Sequence, residues 1–264
     1  MIISVSRRTD IPAFYAEWFY NRLRAGYVLV RNPMNVHSVS KVALSPEVVD
    51  AFVFWTKNPL PLMKRLDELA EYPYYFQFTL TGYGKDIEPG LPDKKQALLP
   101  AFKELAAKTG RQRVIWRYDP IFFSSRYSME YHLECFEALA AELSGSTELC
   151  VISFMDEYRN TKRNAQKLGA VNYSSEEIYA FAARFAKIAD KYGLKLQTCA
   201  ETADFTELGI TASACIDKDL IENIGGFKLK AGKDKNQRPE CCCAASIDTV
   251  SYTHLRAHET GRNL

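Results

Sequence analysis

Several things are missing from this sequence, and each absence closes off a class of protein. No apolar run approaches the roughly 18 residues that a membrane-spanning helix needs. The opening MIISVSRRTD has no basic start, long apolar stretch or small-residue cleavage site, so no secretory leader is expected. Neither sign of charge dominates: 34 basic residues face 32 acidic ones, which gives no electrostatic footprint for nucleic acid or an anionic membrane. Low-complexity linkers and internal repeats are also lacking over the first 225 residues. Cytoplasmic residence is the expectation that remains. There a disulfide framework is disfavoured, and clustered cysteines read better as metal ligands.

What is present is a chain of 264 residues, 47% hydrophobic and 25% charged, the length of a typical (β/α)8 barrel. Short β-rich runs alternate with helix-length amphipathic stretches. Strands are predicted over 2–6, 27–30, 51–55, 75–80, 113–117, 150–154, 195–198 and, weakly, 213–215. Helices are predicted over 13–25, 60–71, 94–108, 129–143, 157–168 and 175–192, the last capped by Ser174 or Ser175. Gly26, Gly110 and Gly193 each sit between a helix and a strand, where a left-handed cap is needed. Parallel strands joined by crossover helices follow from this alternation, and eight of them predict a TIM-like barrel, with a partly open sheet as the rival. The stretch 36–44 breaks the rhythm and reads as a β excursion. The expected organisation is a barrel over 1–230, a cysteine-rich segment over 231–249 and a non-native tail over 250–264.

Polar residues gather just after the predicted strands: SRRTD at 6–10, TKNP at 56–59, RYDP at 117–120, SFMDEY at 153–158 and TCAE at 198–201. In a parallel barrel these segments share the face built from the carboxyl ends of the strands, where ligands bind. Arg7, Arg8, Asp10, Lys57, Asn58, Arg117, Asp119, Asp156 and Glu201 are therefore the expected pocket residues. Singly, each has a plainer reading: Asp10 as a helix cap, Asn58 and Asp119 as turn formers before proline, Arg8 as a solvated charge. Lys57, behind Trp55, is placed for an imine with a carbonyl substrate or for holding a carboxylate.

The seven cysteines divide unevenly. Cys135 and Cys150 stand alone in apolar surroundings and read as small core residues. Cys199 and Cys215 follow two adjacent predicted strands, and 241–243 is a run of three. Four thiolates suit tetrahedral zinc or an iron–sulfur cluster equally well, and spacing does not choose, since neither a CxxC pair nor a ferredoxin run is present. The charged run FKLKAGKDKNQR before them reads as a solvated loop.

The strings SRRTDIPAFY, FWTKNP, RYDPI, TCAE, CIDKDLI and above all DKNQRPECCCAASID resemble the bacterial family catalogued as domain of unknown function 1848, from residue 1 to about 249. The family carries Cys-Gly-Cys where this chain has 241–243. The resemblance therefore implies Cys241 and Cys243 as ligands, beside Cys199 and Cys215 at the strand ends, with Cys242 a departure. It further implies a downstream CxxxCxxC, similar to the motif with which radical S-adenosylmethionine enzymes hold a 4Fe–4S cluster and leave one iron open to the cofactor. That motif does not occur in this sequence. From about residue 250 the string VSYTHLRAHETGRNL departs from the family and looks like translated adapter read-through, so His254 and His258 are not expected to bind metal. The implied protein is an iron–sulfur enzyme that would need S-adenosylmethionine and a reductant such as flavodoxin or ferredoxin. Its substrate would be an unidentified small molecule or modified macromolecule, and the chain as it stands would be inactive. A barrel hydrolase or lyase with structural zinc, or a non-catalytic metal-binding module, are the alternatives.

Overall fold

The computed structural model describes residues 1–31, 35, 37–155, 168–235, 237–238 and 240–249. In chain order its strands are β1 (Ile2–Val5), β2 (Tyr27–Arg31), β3 (Val39–Ala43), β4 (Ala51–Thr56), β5 (Tyr74–Thr79) and β6 (Val114–Ile121). They continue with β7 (Phe123–Ser124), β8 (Leu149–Phe154), β9 (Ala170–Val171), β10 (Lys195–Thr198), β11 (Thr211–Ala212) and β12 (Ile247–Asp248). Eight of these form one parallel sheet in the order β11-β10-β8-β6-β5-β4-β1-β12. No pairing joins β11 to β12 among the described residues, so the fold is an α/β sheet without an observed closure. The chain divides into two compact units. One comprises Met1–Phe78, Ile216–Asn236 and Cys243–Leu264; the other comprises Thr79–Cys215 and Gln237–Cys242.

Strand assignment corrects the sequence reading in two places, the first being that the weakly predicted strand 213–215 gives way to β11 at Thr211–Ala212. Tyr27–Arg31 is not a parallel strand but pairs antiparallel with β3, from Tyr27↔Ala43 to Arg31↔Val39. The link from Arg31 to Val39 is far shorter than the dozen or so residues a parallel crossover requires, so a hairpin is the only solution. The place in the parallel sheet is taken by β12, which pairs Ile247 with Ile3 and Asp248 with Ser4.

In the first unit Phe19, from the helix Ala16–Ala25, meets Phe52 and Phe54 of β4 edge-on at 5.5 and 5.4 Å. Phe54 in turn stacks on Phe76 of β5 at 4.9 Å. Such pairs add about 0.5–1.5 kcal/mol each to the burial they accompany. The predicted helix 13–25 is really two, Ile11–Phe14 and Ala16–Ala25, broken at Tyr15 where φ is −134°. Likewise 60–71 is a single turn, Leu60–Met63, followed by a tighter turn at Leu66–Leu69, because Arg65 leaves helical backbone at φ −140°.

In the second unit the helices Met129–Leu143 and Ser175–Lys191 cover the sheet. Trp116 of β6 stacks on Phe136 at 4.9 Å, and Phe136 stacks on Phe185 at 4.1 Å. Ser174 settles the choice of cap. Its hydroxyl accepts from the Glu177 N–H at 3.2 Å while the Glu177 carboxylate accepts from the Ser174 N–H at 2.8 Å, a reciprocal box. The same helix buries Phe181, Ala182, Phe185 and Ala189 along one stripe. The expected helix 157–168 lies, but for Leu168, outside the described residues, as do Asp156 and the tail 250–264.

Candidate functional site

The second unit holds the densest chemistry. Arg117 lies on β6 opposite Val151 of β8 and is only 6% exposed. Its Nε donates to both Asp119 carboxylate oxygens, at 3.0 and 3.1 Å, and its Nη2 contacts the same carboxylate. On the remaining edge Nη1 donates to the buried Cys215 sulfur at 3.0 Å. Cys199 Sγ stands 3.2 Å from Cys215 Sγ. Burial works against the Arg117 charge, but Asp119 and the two sulfurs outweigh it and hold the guanidinium firmly protonated.

Local backbone explains how two cysteines sixteen residues apart meet. The Cys199 N–H extends the β10–β8 ladder by donating to Ile152 O at 2.9 Å, and Ser213 N–H donates to Thr198 O at 2.7 Å. Both cysteines thus leave neighbouring parallel strands at their carboxyl ends. Ala200 then adopts φ +54°, a left-handed conformation that costs an alanine roughly 1–2 kcal/mol. Beyond it Glu201 folds back, its Oε1 accepting from the Phe154 N–H at 2.8 Å. Hydrogen bonding to Cys215 and then burial push the Cys199 thiol up from its ordinary range, against the pull of Arg117. Cys215 accepts from Arg117 Nη1, and between the two sulfurs either can be the donor.

In the first unit the segments after β1 and β4 build a second polar rim. The Ser6 hydroxyl donates to Asp248 Oδ1 at 2.6 Å and the Arg7 N–H donates to Asp248 Oδ2 at 3.1 Å, so β12 clamps the end of β1. The Arg7 guanidinium lies 5.7 Å from the Trp55 ring centre, and its Nη1 is 3.8 Å from Asp234. Asp10 accepts from the Lys57 N–H at 2.7 Å and from the Ala13 N–H at 3.0 Å. Burial pushes its pKa above the ordinary carboxylate range despite these bonds. Its helix-capping role is therefore real, and it also fixes the Lys57 backbone. Arg8 is exposed, and Asn58 accepts from the Leu60 N–H as a turn former.

Of the four expected thiolates, Cys199 and Cys215 are in contact. Cys243 is buried in the first unit, its sulfur 3.4 Å from the Ile216 N–H, while Cys241 is buried in the second. Among the described residues no group of three or more His, Cys, Asp or Glu side chains able to hold a metal is found. Cys150 is wholly buried, and Cys135 packs against Gly82, where an added Cβ would fall 2.8 Å from its sulfur. Asp234 and Asp248 were missed. Asp234 was hidden in a charged run read as solvated, and Asp248 in a segment with no strand signal of its own. A cavity of about 200 Å³ lies beside the ends of β6 and β8, walled by Phe122, Phe123, Phe154, Tyr173 and Ile178. A larger one, of about 610 Å³, runs along the Ser175–Lys191 helix and shares no residue with the thiol pair.

These features define a parallel α/β protein with an arginine-bound dithiol at its strand ends. A family model described as domain of unknown function 1848 matches residues 2–257, and the chain belongs to that family. The match runs past residue 250, where the sequence was expected to leave the family. No curated protein matches this chain. No helix among the described residues is long and apolar enough to cross a membrane.

Proposed function

We propose that this chain is the α/β body of a cytoplasmic iron–sulfur enzyme of the radical S-adenosylmethionine type, its sheet belonging to a (β/α) barrel. The observation that carries the reading is the contact between Cys199 and Cys215 with Arg117 against Cys215. Two thiolates on one tetrahedral metal sit roughly 3.8 Å apart for bonds of about 2.3 Å, so this pair has only to open by about half an ångström. The donor type fits thiophilic iron or zinc, and Cys241, in the same unit, is the candidate to add a third thiolate. A cluster bound there supplies one-electron transfer. Arg117 offsets the negative charge of a thiolate assembly, and its hydrogen bond to sulfur tunes the reduction potential. Asp119 keeps that guanidinium aimed. Cys199 must lose its proton on loading, so metal uptake releases protons and weakens as pH falls.

Anaerobic reconstitution of the whole chain with ferrous iron and sulfide tests the reading. Bound iron with visible charge-transfer absorption is expected, lost in Cys199→Ser and Cys215→Ser. A colourless protein that retains zinc would favour the structural-zinc alternative, and metal content unchanged by both substitutions would remove the site altogether.

A further inference from the structure

Arg7 carries something the thiol centre does not use. Its Nε and Nη2 atoms are buried and have no hydrogen-bond partner among the described residues. Buried guanidinium donors are seldom left unmade, because the charge loses its water without replacement. Those two atoms form one edge of the guanidinium, the side-on fork whose parallel N–H bonds match the two oxygens of a carboxylate. The same molecule shows what closes such an edge: in Arg117 the identical pair of nitrogens is taken by the Asp119 carboxylate.

We propose that Arg7 binds a small ligand bearing a single carboxylate, through both oxygens, on its Nε–Nη2 edge. The residue is set for this before any ligand arrives. Asp248 holds its backbone N–H and the Ser6 hydroxyl beside it. Trp55 covers the guanidinium face, and Asp234 occupies the Nη1 side. The side chain as a whole keeps 23% exposure while the Nε–Nη2 edge itself is buried, so a small ion reaches that edge by displacing what covers it. Charge selects the class of ligand. With Asp234 and Asp248 already in contact, a carboxylate of charge −1 is accommodated, whereas a phosphate near −2 meets stronger repulsion. The inference rests on the reading of this rim as a ligand site and not on metal at the thiol pair.

The test uses the full chain, free of metal, titrated with acetate and separately with inorganic phosphate. The readout is the Arg7 Nε–H resonance in a nitrogen-15 spectrum, assigned by its disappearance in Arg7→Lys. A saturable acetate shift is expected, with affinity by calorimetry at least tenfold weaker in Arg7→Lys and unchanged in Cys199→Ser. Trp55→Phe keeps a ring beneath the guanidinium and should retain binding. Three results would overturn the proposal: no saturable shift, meaning that ordered water fills the edge; phosphate binding without acetate binding; or undiminished affinity in Arg7→Lys. A chain that takes up iron normally yet ignores acetate defeats this inference alone. One that binds acetate but no metal defeats the iron–sulfur reading alone.

Discussion

Arg7 and Arg117 both stand near the carboxyl ends of parallel strands, yet the chain treats them in opposite ways. Arg117 is saturated from within, by Asp119 on one edge and Cys215 on the other. Arg7 is held by its backbone, its ring face and one nitrogen, while its fork is left unmatched. The first is completed by its own chain, and the second keeps an edge open for a ligand.

The sharpest way to break that contrast is to remove each arginine in turn. Arg117→Met strands the Asp119 carboxylate in a dry setting and should cost about 3 kcal/mol in urea unfolding. A loss below about 1 kcal/mol would show that the pair is not structural. Ala200→Gly relieves the left-handed strain beside Cys199 and should raise stability by about 1 kcal/mol, provided the looser turn keeps its shape. Unchanged or lower stability would mean that the strain is absorbed elsewhere. Arg7→Met removes unmatched donors together with a weak ion pair, so stability should stay within about 1 kcal/mol of the parent or rise slightly. A loss as large as that of Arg117→Met would erase the distinction between the two.

The smallest effect concerns pH in the second unit. His132 is wholly buried, with Nδ1 2.9 Å from the Tyr118 hydroxyl and Nε2 3.0 Å from Phe122 O, and burial lowers its pKa. The folded state therefore holds the neutral ring while the unfolded chain takes up a proton near pH 6.5. Its contribution is full above that value and is lost as pH falls toward the lower folded pKa. Unfolding midpoints at pH 7.5 and 5.5 should differ by less in His132→Gln than in the parent.

The parallel α/β class was legible because helix stripes such as that of Phe181, Ala182 and Phe185 are local, periodic signals. The thiol pair was legible because each cysteine follows its own strand, and strands in register carry their ends to one side. The antiparallel role of β2 was not read, although the short link to β3 contained the information. Asp234 and Asp248 were invisible for a deeper reason: their partners lie more than two hundred positions away, and nothing near them in the sequence records that contact. Break points at Tyr15 and Arg65 likewise come from packing, since the local pattern favours unbroken helices.

The pairing of β12 with β1 has a consequence for how the protein comes into being. Ser6 and Asp248 are 242 residues apart, so β1 emerges from the ribosome long before the segment that closes beside it. At about 5–20 residues per second the wait is on the order of 12–50 s, during which one flank of the first strand lacks its neighbour. Contacts of such long range form slowly and leave strand edges exposed in the interim. The Arg7 clamp is consequently among the last parts of the molecule to be assembled. A nascent chain needs shielding at its very first strand until its cysteine-rich end has been made.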